Sequence, residues 1–183
     1  MTNESHFAGC LGVLLACLSL VWLHDVSASP VQAGSLPRVI LNAESIGPRR
    51  IEQKTGETVT RDYAQAWRDL AEALEANRTD LLNDHFTGGS KQRLTQRISE
   101  QQKNGLRTRY LDHGHQVKAV FYSPDGGEMQ MQDQAQIEVQ VFNGRKMIYA
   151  ASPTSKYVVL MTPGADRWFV RSLENRSRRC LLT

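Results

Sequence analysis

Between Met129 and Phe142 the chain reads MQMQDQAQIEVQVF, and this alternation of period two constrains the fold more tightly than any other stretch. In an extended strand Met129, Met131, Asp133, Ala135, Ile137, Val139 and Val141 share one face, while Gln130, Gln132, Gln134, Gln136, Glu138 and Gln140 share the other. A strand that is apolar on one face and wet on the other belongs to an antiparallel sheet packed on a core from one side. Buried parallel strands read instead as continuous apolar runs. Asp133 alone interrupts the apolar face, and it poses the main chemical question of the sequence.

The remaining organisation follows from changes of period and composition. Phe7 to Leu23, FAGCLGVLLACLSLVWL, is apolar and uncharged, which marks a targeting or anchoring segment. Three readings stand open: a signal peptide cleaved after Val26-Ser27-Ala28 or Val31-Gln32-Ala33, an uncleaved signal anchor, and a lipoprotein modified at Cys17. The expectation is a leader over 1–28, with a cell-membrane location by single-pass anchoring through residues 7–23 if uncleaved, or a secreted or periplasmic one. From 29 to 59 the prolines and glycines Pro30, Gly34, Pro37, Gly47, Pro48 and Gly56 predict a linker, with Arg38 to Leu41 as a short edge contact.

The folded domain is expected over 60–174, followed by a basic tail over 175–183. Tyr63, Ala66, Trp67, Leu70, Ala73 and Leu74 recur at helical spacing after Thr60 and predict a long amphipathic helix. Leu81, Leu82 and Phe86 suggest a second, short helix, and Ser90 to Asn104 a third that Gly105 stops. Beyond Gly105 the period drops to two. Leu106 to Asp112, His115 to Ser123, Met129 to Phe142, Met147 to Met161 and Arg167 to Leu173 are the predicted strands, with Gly114 marking a bulge inside one long strand and Ser152-Pro153 an irregularity in another. The fold class is α+β: three amino-terminal helices, one of them long, packed in a curved, cone-like antiparallel sheet of about four to five strands.

This order resembles the nuclear transport factor 2-like superfamily, the cystatin-like or SnoaL-like cone. The matching features are the helix from Tyr63-Ala64-Gln65-Ala66-Trp67 through Leu74, the break at Leu81-Leu82-Asn83-Asp84-His85-Phe86, and the strands after Gly105. The likeness spans Thr60 to Leu173. One branch of that superfamily holds polyketide-cyclase-like and ketosteroid-isomerase-like enzymes. Another holds non-catalytic domains carried beside a membrane segment, and a leader, a linker and one domain resemble that second branch in layout.

Composition excludes several functions. The net charge of +3 resides in the small clusters Arg49-Arg50 and Arg176, Arg178, Arg179, so the domain itself is near neutral and no nucleic-acid partner is expected. Cys10, Cys17 and Cys180 flank the domain, which leaves it without a disulfide framework or a thiolate metal site. No Gly-x-Ser-x-Gly, phosphate loop, dinucleotide fingerprint or His-Glu-x-x-His occurs. No cofactor is expected. Asp112, His113, His115 and His85 are the residue types a metal uses, but the reading here is a polar bulge, and no metal site is assigned.

Two functions remain in competition. Asp133 on an apolar face suits a general base, because carboxylates held away from water are stronger bases; Tyr63, Tyr110, Tyr122 and His85 are the types able to partner it. The wet face suits binding, through Gln136 and Gln140 flanked by Tyr122 and Phe142. The sequence favours a non-catalytic binding or assembly domain, more a binder than an enzyme. Its partner would be a protein or a second copy met through the sheet face, with a small apolar ligand as a further occupant of the cone. The alternative is a small isomerase- or cyclase-like enzyme with Asp133 as base.

Overall fold

A computed structural model describes residues 35–44 and 46–177. The leader, Cys10, Cys17, Cys180 and the arginines of the tail from Arg178 onwards lie outside the described residues. The elements run β1 (Val39–Asn42), α1 (Gln53–Ala76), a single 3₁₀ turn (Asp80–Leu82), α2 (Gly88–Lys103), β2 (Leu106–Tyr122), β3 (Met129–Asn143), β4 (Lys146–Ala151), β5 (Thr154–Pro163) and β6 (Trp168–Asn175).

The expected class is corrected in three respects. Among the described residues there are two α-helices, not three, because the segment around Leu81 and Leu82 makes only the 3₁₀ turn. The sheet has six strands and is mixed: β1 lies parallel to β2, pairing Val39 with His115 and Asn42 with Lys118. Its order, β1-β2-β3-β5-β6, ends on two different edge strands, so the sheet is open and does not close into a cone. The edge contact foreseen at Arg38 to Leu41 is this β1, a full strand of the sheet. The long helix also begins at Gln53, ahead of Thr60.

The core is one layer of α1 against the inner sheet face. Val59, Tyr63, Ala66, Trp67, Leu70, Ala73 and Leu74 follow the 3.6-residue period and meet Val117, Ala119, Met129, Met131, Ala135, Ile137, Val159, Met161 and Val170 from the strands. Removing each large side chain from water contributes about 1.5–3 kcal/mol, which fixes the helix on the sheet. Asn77, in the left-handed conformation at φ 55°, ends α1 and donates from Nδ2 to the carbonyl of Leu106 at 2.9 Å. β3 is the spine of the sheet. It pairs with β2 along its whole length, with β5 from Met129 to Gln136 and with β4 from Val139 to Asn143. Ser152-Pro153 therefore separates two strands that share one neighbour.

No helix among the described residues is long and apolar enough to cross a membrane. The transmembrane, single-pass location expected from residues 7–23 is corrected to that extent, its segment lying outside the described residues.

Candidate functional site

Asp133 sits in the middle of β3 with its side chain inward, 2% exposed. The β2 residue directly opposite is Val117, which places His115 on the diagonal of the same face, and the residue opposite on β5 is Tyr157. From the helix side Tyr63 reaches down. Its hydroxyl donates to Asp133 Oδ2 at 2.7 Å, and His115 Nδ1 meets the same oxygen at 2.7 Å. The other carboxylate oxygen, Oδ1, is buried and has no hydrogen-bond partner among the described residues. A buried carboxylate with one oxygen fully engaged and the other bare is the unusual feature of the site.

The chain of contacts continues outward. His115 Nε2 meets Asp112 Oδ2 at 2.8 Å, and the Asp112 side chain is 18% exposed. In a regular strand residues three apart point to opposite faces. Here the pairing slips between Asp112 and Gly114, so one extra residue restores Asp112 to the side of His115. Gly114 makes the slip possible: its φ of +123° suits glycine alone, its N–H donates to Asp112 Oδ1 at 2.8 Å, and a Cβ there would lie 3.3 Å from the Arg38 carbonyl.

Both ring nitrogens of His115 face carboxylate oxygens, so both donate and the ring is an imidazolium. Burial, the strongest single influence, pulls its pKa down. The hydrogen bonds and charges of Asp112 and Asp133 outweigh that and raise it to about 9. Trp67 lies 4.7 Å from the imidazole, centroid to centroid, at a tilt of 35°, and Tyr63 meets it at 5.8 Å in a T-shaped contact. Burial and then the charge of Asp133 hold the Tyr63 phenol well above its ordinary range. Burial likewise pushes Tyr157 up to about 12, so both hydroxyls keep their protons.

Of the residues read from sequence, Asp133 and Tyr63 come together. His85 does not join them: it is buried in a second pair, Nδ1 to Asp69 Oδ2 at 2.5 Å and Nε2 to Gln65 Oε1 at 3.0 Å. Tyr110 accepts from Arg97 at 2.9 Å. Tyr122 is buried at the far end of β2, under the Arg49 guanidinium, and Phe142 is buried at the other end of β3 beneath Arg107 and Arg109. Gln136 is exposed, and Gln140 donates to Glu138 at 2.6 Å. His113 is exposed whereas His115 is buried, and among the described residues no group of three or more His, Cys, Asp or Glu is arranged to hold a metal.

His115, Asp112, Trp67 and Tyr157 are the members sequence reasoning left out of this site. One signal was legible: His115 shares parity with Val117 and Ala119, which places it on the inward face. The expectation that leaned away from an enzyme is corrected by this centre, since a buried Asp–His pair with a bare carboxylate oxygen favours catalytic activity over its absence.

An apolar-lined groove of about 710 Å³ runs between β1 and the first turns of α1, bounded by Leu36, Val39, Leu41, Ile51, Thr60 and Ala64 among others. Val39 is the register partner of His115, and Thr60 and Ala64 bracket Tyr63 on the helix. The groove is lined by neighbours of the buried centre and by none of the centre's own side chains.

No protein-family model matches the chain, and no curated protein matches it in sequence. Solved structures do. The intermembrane space region of the chloroplast protein ARC6 aligns over 69% of this chain and 98% of its own, at 14% identity and a TM-score of 0.59. Aln2 from a Streptomyces species aligns over 68% and 91%, at 13% identity and a TM-score of 0.45. ActVI-ORFA from Streptomyces coelicolor aligns over 64% and 96%, at 10% identity and a TM-score of 0.43. The fold is that of the nuclear transport factor 2-like, SnoaL-like superfamily, and at such identities the likeness is one of fold alone.

Proposed function

We propose that the chain is a small proton-transfer enzyme of the isomerase or cyclase kind, with Asp133 as its general base. The observation that carries this reading is the bare Oδ1 of a carboxylate whose other oxygen is held by Tyr63 and His115. Two donors on Oδ2 orient the carboxylate and leave the Oδ1 lone pairs for a substrate C–H adjacent to a carbonyl. A donor for the developing enolate is at hand in Tyr157, which lies on the neighbouring strand in register with Asp133. The reading requires a substrate to enter from the groove between β1 and α1, whose lining sets Leu36, Val39, Leu41 and Ile51 beside Arg38, Glu57 and Arg61. His115, protonated on both nitrogens, holds Oδ2 and balances the carboxylate's charge, while the proton taken by Oδ1 returns to the substrate at its new carbon, so the isomerisation balances with no proton leaving the site.

The test is isomerisation of 3-cyclohexenone to its conjugated isomer, followed by ultraviolet absorbance. The full chain should exceed buffer, and Asp133→Asn should lower the rate by about 100-fold or more. Equal rates for the two proteins would remove Asp133 from the chemistry.

A second reading concerns self-association, and it rests on β4. Met147, Ile148 and Tyr149 are consecutive, each at least 50% exposed, on a strand that among the described residues pairs with β3 alone. An antiparallel edge is its own complement under a twofold axis, so a second copy fits it. Sedimentation velocity should show a dimer that Ile148→Lys dissociates, and a monomer at every concentration would dismiss the reading.

A further inference from the structure

The outer face of the sheet carries a depression of about 430 Å³ remote in chemistry from the Asp133 carboxylate, which points to the other face. Its lining is Gln116, Lys118, Gln132, Gln134, Lys156 and Arg176, with Val158 at the floor and Asp133 and Tyr157 contributing from strands whose alternation turns those two side chains inward. Register explains why these side chains converge. Lys118 lies opposite Gln132, which lies opposite Val158; in the adjacent row Gln116 lies opposite Gln134, which lies opposite Lys156. Arg176 follows β6 and is tied to this corner by its N–H, which donates to the Lys156 carbonyl at 2.7 Å.

The cations of this depression differ from the carboxylate-paired arginines of the molecule. Arg49, Arg61, Arg68, Arg78 and Arg167 each rest on a carboxylate. Among the described residues Lys118, Lys156 and the Arg176 side chain form no ion pair. The one carboxylate in the same row, Glu174, lies opposite Val158 and is outside the lining. Three cations held within one concavity repel one another unless an anion joins them. Between the cations stand three glutamine amides, which donate hydrogen bonds without cancelling the positive charge.

We infer that this depression is a binding site for a small polyanion, one bearing two or more phosphate or carboxylate groups. The number of groups follows from spacing. Lys118 on β2 and Lys156 on β5 are separated by two strand intervals, about 10 Å of backbone. One oxyanion meets one cation and its neighbouring amide well; two linked oxyanions span both strands, and Arg176 adds a planar fork for the second. The site is independent of the proton-transfer reading, because it uses none of that centre's side chains.

The test is a titration of the ¹⁵N-labelled full chain with inorganic pyrophosphate and, separately, citrate, against sodium chloride at equal ionic strength. Saturable amide shifts should centre on Lys118, Gln132, Lys156 and Val158 and weaken with salt. Lys156→Gln and Arg176→Gln should each lower affinity about tenfold, whereas Arg145→Gln, in the β3–β4 turn, should leave it unchanged. All three positions are exposed, and unaltered melting temperatures without anion confirm that the variants fold. Shifts reproduced by chloride, or an equal loss in Arg145→Gln, would overturn the assignment. So would capture by phosphatidylglycerol vesicles that pyrophosphate fails to displace, since that would make the face a lipid contact.

Discussion

The imidazolium of His115 makes a quantitative demand on stability. An unfolded histidine titrates near 6.5 and the folded one near 9, so the native state holds a proton that the unfolded chain releases between those values. A folded pKa above the unfolded one means stability that is complete below the unfolded value and is lost as pH rises through the folded one. Across about pH 6.5 to 9.5 the linkage amounts to a loss of about 3 kcal/mol, near 1 kcal/mol per pH unit through the middle of the range. For a domain whose whole stability is ~5–15 kcal/mol, that is a visible fraction. Urea unfolding at intervals across this range should show the midpoint falling with the slope m unchanged. The His115 ring resonances should titrate near 9 in the same samples. In Asp112→Asn one of the two carboxylates is gone, and both the ring pKa and the pH window should move down together. A flat stability profile, or a His115 ring that is neutral at about pH 8, would refute the carboxylate–imidazolium–carboxylate chain.

Three further outcomes follow from neighbouring contacts. Tyr63→Phe removes the hydroxyl that donates to Asp133 Oδ2 and should cost about 1–3 kcal/mol in urea unfolding by leaving a buried carboxylate under-satisfied; an unchanged midpoint would mean that bond contributes nothing. Gly114→Ala forces a side chain into φ +123° and against the Arg38 carbonyl, so a loss of about 1–3 kcal/mol is expected, together with faster amide exchange of His115, whose N–H donates to that same carbonyl at 2.9 Å. Burial raises the pKa of Asp69, but the hydrogen bonds from His85 and Arg68 outweigh it and hold the carboxyl below its ordinary value. Stability from this pair is therefore present above the unfolded pKa and lost as pH falls through the folded one. Asp69→Asn should reduce the acid-side loss, and an identical acid profile in the variant would contradict the pairing.

The legible parts of this fold were those governed by one-dimensional period. The face of α1 from Tyr63 to Leu74, the wet and dry faces of β3 and the bulge at Gly114 all follow from spacing and from one residue's conformational freedom. The short helix expected at Leu81 and Leu82 failed for a different reason. Two leucines and a phenylalanine can be buried by a single 3₁₀ turn, and Leu82 and Phe86 are buried without further helix. Strand β1 was legible only as a short edge contact, because its pairing is long-range and parallel. Nothing local to Val39–Asn42 specifies His115 to Lys118 as its partner.

The site shows where such reading stops and what extends it. Parity alone placed Asp133 inward, and the same parity places His115 beside Val117 and Ala119 on the next strand. What parity could not supply is register, and register decides that His115, not His85 or Tyr122, lies diagonal to Asp133. A one-residue slip in that pairing would turn His115 to the wet face and leave Asp133 with Tyr63 alone. The bulge at Gly114 then does two things at once: it brings Asp112 round to the second nitrogen of His115, and it lets the backbone of β1 approach closely enough for the His115 N–H to reach Arg38. The glycine read first as a bend in a strand is thus the residue that assembles the buried charge chain, and the chemistry of the inner face depends on it as much as on Asp133.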